Sequence, residues 1–376
     1  MSKDIAWPLP LDFSGSSLAS ILFALTIIAL LARMSLSLST QPLQMVTGIA
    51  RRTKFPPARG VHPKPSNDQT VPAGLDYLNG FVEIRHQSIW WQCFRPKLRT
   101  RKAVGVVVIY HGYADHSDYR IFEDARDLAI QSNLIIIAFD QPGFGRSDGV
   151  WAYIPDWFKH VEACVEATKT ITTLVLTDDE RNLPLIGYGT SMGGGVAICA
   201  SILNPGLFNG LVLTAPMCGI SPNIRPNFLV ENILLIASRL FPTLAITPIP
   251  DLGELCYEDP KYYILERSRN HLCYSSRPRL ATARSMLEAQ NWITVNSSKL
   301  TTPFLLLHGD ADAITSTDLS RAFFSNASSS EKEIEILPRY YHILFGAGVE
   351  PEKSSYVVKR ILRWIDSRCE MAAIRP

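Results

Sequence analysis

Leu183-Pro-Leu-Ile-Gly-Tyr-Gly-Thr-Ser-Met-Gly-Gly-Gly-Val-Ala197, running on to Leu203, is the stretch whose reading decides the fold. The apolar run from Leu185 to Tyr188 predicts a buried strand. It ends in Gly189-Thr190-Ser191-Met192-Gly193, which has the form G-x-S-x-G, and residues rich in Ala, Ile and Leu from Met192 to about Leu203 predict a helix. Strand, sharp turn and helix are the context this motif requires. A serine at the tip of such a turn sits in a strained backbone conformation. Its neighbours two residues before and two after pass close to each other, so Gly189 and Gly193 carry no side chain. Ser191 then points its hydroxyl over the end of the sheet, with a helix N-terminus beneath it. The same letters also arise by chance in Gly- and Ser-rich loops, so the rest of the chain has to supply the context.

It does so in both directions. Residues Phe81 to Phe94 alternate well enough for a starting hairpin. Val104–Tyr110, Leu134–Phe139 and Gly210–Thr214 are apolar, β-branched runs that read as buried parallel strands, and Pro303–Leu307 and Ile334–Leu337 add two more. Helical patterns cover Asp118–Ser132, Asp156 to about Thr173, and Ser355–Cys369. Alternating strands and helices predict a doubly wound, mostly parallel sheet whose site lies at the carboxyl ends of the strands.

The loops at those ends carry reactive residue types. His111-Gly112-Tyr113-Ala114 follows the first of these parallel strands, where it can aim the Tyr113 backbone N–H at a developing oxyanion. The N–H of Met192, one residue past the serine, is the natural second donor. The His111 imidazole is read as a structural group that holds the loop. Gln141-Pro142-Gly143-Phe144-Gly145-Arg146-Ser147-Asp148-Gly149 is Gly-rich, but its spacing fits neither phosphate-binding pattern, so it is read as a structural loop. His308-Gly309-Asp310-Ala311-Asp312 offers two acids, Asp310 and Asp312, and Tyr341-His342 follows the last strand. Nucleophile, acid and histidine in that chain order is the order of the α/β-hydrolases. A serine hydroxyl is a weak nucleophile until an imidazole takes its proton, and the imidazole needs a carboxylate to fix its tautomer.

Cys218 to Leu300 is too long for a simple connection and predicts a helical cap inserted over the site. Within it Leu229, Val230, Ile233, Leu234, Leu235, Ile236, Leu240 and Phe241 make a broad apolar surface. Part of it should pack on the cap's own core, and the remainder could line an acyl tunnel or dip into a bilayer. The expected division is 1–76 apolar segment and linker, 77–217 first part of the hydrolase core, 218–300 cap, and 301–376 second part.

Composition bounds the rest. The 376 residues are 47% hydrophobic and 19% charged, enough for a large core, and the net charge of +2 makes no case for nucleic acid. Seven scattered cysteines without a C-x-x-C pair read as reduced thiols facing the cytosol, not a zinc site. Leu18 to Ala32 is an uncharged apolar run, short for a bilayer span but extendable through Gly15, Ser16 and Ser17. Arg33, Arg51, Arg52, Lys54, Arg59 and Lys64 follow with no acid between Arg33 and Lys64. The expectation is an N-terminal apolar helix that associates with a membrane, with the catalytic domain in the cytosol. The rival readings are a cleaved signal peptide or a lumenal enzyme, for which the N-x-S sequons at Asn296 and Asn326 are the sequence support. Oligomeric state is not legible.

Residues from about 77 to 370 resemble the monoacylglycerol lipase family of serine hydrolases, with the plant branch of lysophospholipases and caffeoylshikimate esterases nearest. The resemblance is carried by His111-Gly112-Tyr113, Asp140 to Gly149, Gly189-Thr190-Ser191-Met192-Gly193-Gly194, Ala215-Pro216-Met217-Cys218, Arg277-Pro278-Arg279-Leu280, His308-Gly309-x-x-Asp312 and Tyr341-His342. It implies Ser191, Asp312 and His342 as triad, with Asp312 preferred over Asp310, and Tyr113 and Met192 as oxyanion donors. It departs at Ala114, where a glycine is frequent, and at Phe345-Gly346-Ala347-Gly348, which replaces a more acidic stretch. The expected activity is release of a fatty acid from a monoacylglycerol or related lysolipid, with no metal or organic cofactor. Acyl transfer or cleavage of small caffeoylshikimate-type esters on the same triad are the alternatives. A non-catalytic receptor on this fold would be expected to have a damaged triad.

Overall fold

Strand β3 (Gly105–Tyr110) shows how the sequence builds the sheet. Val106, Val108 and Tyr110 pack into one buried cluster, and Val107 and Ile109 into another on the opposite face. β4 (Leu134–Phe139) divides the same way, with Ile135, Ile137 and Phe139 on one side and Leu134, Ile136 and Ala138 on the other. A strand covered on both faces has no solvent side to mark with polar residues, so it reads as an unbroken apolar run. These positions come from a computed structural model that describes residues 71–97, 102–222, 224–247, 252–270 and 272–374. The apolar run Leu18–Ala32 and the basic stretch Arg33–Lys64 lie outside the described residues.

The remaining strands are β1 (Leu75–Ile84), β2 (Gln87–Pro96), β5 (Leu185–Thr190), β6 (Gly210–Thr214), β7 (Phe304–Gly309) and β8 (Lys332–Leu337). Among the described residues they form an eight-stranded sheet in the order β1-β2-β4-β3-β5-β6-β7-β8. β1 and β2 are antiparallel and β2 joins β4 antiparallel, while every pairing from β4 to β8 is parallel. This is the α/β-hydrolase fold. The hairpin expected between Phe81 and Phe94 is longer, pairing Leu75 with Pro96 through to Ile84 with Gln87. It turns through Arg85 and His86, with φ of 50° and 62°. Two left-handed residues give the tight turn whose twist matches its strands.

Helices α1 (Arg120–Ile130) and α8 (Pro351–Ile374) cover one face of the sheet, and α2 (Trp157–Val175) and α3 (Met192–Leu203) the other. α2 starts where expected because the Asp156 side chain accepts the Lys159 N–H at 3.0 Å and satisfies a free helix donor. The chain moves from β3 to β4 on one side and then crosses to β5 on the other. The strand order therefore reverses between β3 and β5, which opens a crevice at their carboxyl ends.

Between β6 and β7 lie α4 (Phe228–Leu240), α5 (Pro260–Arg269) and α6 (Leu280–Asn296). Met286, Ala289 and Ile293 of α6 join the main core cluster. Of the apolar surface expected on α4, Leu234 and Phe241 pack with buried Ala237 on Ile246 and Leu280. Leu229 and Phe228, by contrast, are 69% and 84% exposed. The insertion is pinned by Arg279, almost fully buried, whose Nε donates to the Trp151 carbonyl at 2.7 Å and Nη1 to the Thr243 carbonyl at 2.6 Å. Residues 317–326 form α7 (Thr317–Asn326) after the acid-bearing loop. All seven cysteines are free and five are buried. Among the described residues no helix is long and apolar enough to cross a membrane.

Candidate active site

β5 ends at Thr190 and α3 begins at Met192, leaving Ser191 alone between them at φ 54°, ψ −120°. A non-glycine residue holds such a conformation only where its surroundings over-determine it. Here the Ser191 N–H donates to the Thr214 carbonyl on β6, and the Ser191 carbonyl accepts from the Met217 and Gly194 N–H groups. The flanking glycines are required by contact. A Cβ on Gly189 would lie 2.4 Å from the Gly193 carbonyl oxygen, and one on Gly193 would lie 2.0 Å from that of Tyr110.

The loop after β3 crosses the elbow, close enough that a Cβ on Gly112 would meet the Ser191 Cβ at 3.3 Å. His111 holds this loop as expected. Its Nε2 accepts the Gln141 N–H at 3.0 Å, so Nδ1 carries the proton and donates to the Gly112 carbonyl at 2.8 Å. Burial lowers the His111 pKa, which suits this neutral tautomer. Asp140, fully buried, ties the same loop to the Gly-rich turn. It accepts from the Ser117 N–H and hydroxyl, each at 2.6 Å, and from the Arg146 N–H. The Gly-rich turn is thus structural. Ala114 keeps the left-handed conformation, φ 68°, that a glycine would adopt more readily. Its carbonyl accepts the N–H of Tyr274, between α5 and α6, at 3.0 Å. Among the described residues the Tyr113 and Met192 N–H groups have no hydrogen-bond acceptor.

The acid and histidine meet across the ends of β7 and β8. His342 Nδ1 is 2.7 Å from Asp312 Oδ2, and the Asp312 side chain is fully buried. Oδ1 accepts the N–H groups of Ile314 at 2.7 Å and Thr315 at 3.1 Å, while the Thr315 hydroxyl donates to Oδ2 at 2.7 Å. Burial by itself would raise the Asp312 pKa, but His342 and His308 hold it far below the carboxylate range. Asp310 is exposed and accepts the Arg339 N–H at 2.6 Å, so it braces the loop that leads to His342. Asp312, not Asp310, contacts the histidine. Neither Thr315 nor Ser320, nor the His308 side chain, has a role legible from the sequence. The only signal was His308-Gly309-x-x-Asp312, with histidine and acid four residues apart.

Ser191, Tyr113, Met192 and Thr315 face one cavity with about 960 Å³ of atom-free space, its open mouth included. The walls are mostly apolar: Leu234 and Leu235 from α4, Leu280, Met286 and Leu287 from α6, and Met217, Ile220 and Ile314 from the loops, with Arg225, Glu231 and Arg284 also on the lining. The segment between β6 and β7 also reaches the histidine loop, where the Cys256 carbonyl accepts the Ile343 N–H at 3.1 Å. Asp115, His116 and Cys273 lie close enough together to suggest a metal site. They are committed elsewhere: Asp115 pairs with Arg120 at 2.6 Å, His116 bonds Asn270 Oδ1 at 2.7 Å through one nitrogen and the Asp118 N–H through the other, and Cys273 Sγ accepts from Asn270 Nδ2 at 3.1 Å.

Fold and site together define an α/β-hydrolase of the nucleophile-elbow type. The sequence profile of the hydrolase family described as serine aminopeptidase, S33, matches residues 101–348, and the chain belongs to that family. It is similar to the caffeoylshikimate esterase of Arabidopsis thaliana, 26% identical over 305 residues that cover 81% of this chain and 90% of that one. It is similar to the monoglyceride lipase of Homo sapiens, 25% identical over 320 residues, 82% of this chain and 98% of that one. In fold it matches a soluble variant of monoglyceride lipase from Saccharomyces cerevisiae with a TM-score of 0.67 at 17% identity, covering 82% of this chain and 98% of the other.

Proposed function

We propose that the chain is a serine ester hydrolase that releases a fatty acid from a monoacylglycerol or related lysolipid, with Ser191 as nucleophile, His342 as base and Asp312 as its partner. His342 Nδ1 bonds the Asp312 carboxylate, which leaves Nε2 as the basic nitrogen. That nitrogen takes the Ser191 proton as the hydroxyl oxygen attacks the ester carbonyl. The tetrahedral oxyanion is received by the N–H groups of Tyr113 and Met192. His342 returns the proton to the leaving alcohol, then draws one from water to hydrolyse the acyl-enzyme. No metal or organic cofactor enters this scheme.

The single observation that carries the substrate class is the apolar cavity in which Ser191 sits. Leu, Ile and Met walls gain from each methylene removed from water, about 0.8 kcal/mol, and offer a small polar ester little. The similarity to lipases acting on monoglycerides supports the same reading. The test is hydrolysis of a monoacylglycerol series of increasing acyl length beside a hydroxycinnamoyl ester, with Ser191→Ala as control. The expected result is kcat/KM rising with acyl length and abolished by the substitution. Preference for the hydroxycinnamoyl ester would favour the second reading, a small-ester esterase, for which the similarity to caffeoylshikimate esterase is the support. Transfer to an added alcohol in place of water would make the enzyme an acyltransferase.

The proposal extends to organisation and place. Residues 1–76 would serve as membrane segment and linker, 77–217 and 301–376 as the hydrolase core, and 218–300 as cap. The uncharged run Leu18–Ala32 and the basic residues after it support membrane association with the catalytic domain in the cytosol. A lysolipid substrate partitions into the same bilayer. Fractionation of the full chain against a chain starting near Leu75 tests this. Recovery of both in the soluble fraction would refute the anchor, and glycosylation at Asn296 or Asn326 would place the domain in the lumen.

A further inference from the structure

The acid has a second imidazole on it. His308, in β7, is fully buried, and its Nε2 lies 3.1 Å from Asp312 Oδ2, the oxygen that also receives His342 Nδ1. Its Nδ1 lies 2.9 Å from the hydroxyl of Ser320 on α7. An ionised carboxylate only accepts hydrogen bonds, so His308 Nε2 carries a proton. In a neutral imidazole the other nitrogen is then an acceptor, and the Ser320 hydroxyl must be the donor to it. The proton positions are therefore ordered along one line: Ser320 to His308, His308 to Asp312, and His342 to Asp312 from the other side.

We propose that His308 is a positioning residue for the reaction, which with Ser320 fixes the Asp312 carboxylate and moderates the basicity of His342. The proposal rests on the Ser191, Asp312 and His342 assignment above. Its physical content is the sharing of one oxygen. Oδ2 accepts from His342, from His308 and from the Thr315 hydroxyl. Each donor draws negative charge, so the share left to stabilise a protonated His342 is smaller than for a lone carboxylate. Together the donors also restrain the one rotation of the carboxylate, about its Cβ–Cγ bond. The titratable groups that meet this line are Asp312, His342 and the thiol of Cys218. Burial pushes that thiol, which contacts Ser320, up to about 12, so it brings no charge.

The test uses the full-length protein and the pH profile of kcat and kcat/KM on a soluble p-nitrophenyl ester, for the wild type and for His308→Leu, His308→Gln and Ser320→Ala. Losing one hydrogen bond to a charged group is expected to lower kcat about tenfold or more in His308→Leu, with KM within about twofold. The acid limb of kcat/KM should move to higher pH by about half a unit or more, because His342 gains the charge that His308 gave up. Ser320→Ala should move both quantities in the same direction by less. Gln at 308 can still donate from its own Nε2 and should recover most of the rate. An acid limb unmoved in both His308→Leu and Ser320→Ala, whatever happens to the melting temperature, overturns the proposal and leaves His308 a packing residue. If His308→Leu does not fold, Ser320→Ala decides by the same limb. A Ser191→Ala variant that keeps its rate would fail the underlying assignment. A dead Ser191→Ala with an unmoved limb fails this inference alone.

Discussion

At the scale of single residues, the two acids after β7 separate by what they touch. Asp312 is buried against both histidines, while Asp310 is exposed and bonds a backbone N–H of the neighbouring loop. Asp312→Asn replaces an acceptor with an amide that can turn its donor toward His342, which favours the wrong tautomer. The expected loss in kcat is about 10⁴-fold. Asp310→Asn keeps the acceptor oxygen for Arg339 and should stay within about threefold of wild type, since surface changes away from such networks are small. Steady-state kinetics on the two variants checks this, and the reverse ranking would move the acid to Asp310. Chain order left both acids open at the sequence level, and the family resemblance chose between them. The His308 contact was hidden because a histidine next to a strand end has no periodic signature. Its role depends on α7 folding back to offer Ser320.

At the scale of elements, strands and elbow were legible where one physical demand dominates. β4, β6 and α3 fall on the residues expected, because an unbroken apolar run or a Gly-flanked turn admits few structures. The hairpin was less legible. Its turn is Arg85-His86, without the Gly or Asn that usually marks two left-handed residues, so the strands' full length was not apparent. The long segment between β6 and β7 was less legible: α6 packs into the main core, and sequence alone cannot assign a helix to one of two adjacent apolar clusters. The elbow carries the sharpest element-level prediction. A Cβ at Gly193 would overlap the Tyr110 carbonyl oxygen, and neither backbone can yield without moving β3 from β5. Gly193→Ala should cost about 3 kcal/mol or more of stability, at the upper end for overpacking. It should also abolish activity. Gly74→Ala, where no atom lies within 4 Å, should leave both unchanged. Thermal melts and esterase assays on the pair distinguish a steric demand at Gly193 from a general intolerance of added methyls.

At the scale of the whole molecule, one buried cluster ties stability to pH. Arg120 stands between Asp115 at 2.6 Å and Asp124 at 2.9 Å, one cation for two carboxylates. Asp115 is held below its usual value against the cost of burial, while burial pushes Asp124 up to about 8 despite Arg120. Unfolded, Asp124 would ionise near pH 4. Between those values the folded chain holds the extra proton, so this group's contribution is present at low pH and is lost as pH rises through about 8. Asp312 has the opposite sign: its depressed pKa stabilises the fold above about pH 4, and that contribution is lost on acidification. Melting temperatures of wild type and Asp124→Asn should therefore diverge in favour of the variant between about pH 5 and 8 and run parallel above. A difference independent of pH would contradict the assignment. Everything else depends on Ser191 being the activated nucleophile that faces the apolar cavity. The most direct measurement is reaction of the full-length protein with an alkyl fluorophosphonate, followed by peptide mass mapping. A single adduct is expected, on Ser191, suppressed by prior occupation with a long-chain monoacylglycerol. A folded protein that forms no adduct, or forms one at another residue while Ser191 stays unmodified, would contradict it.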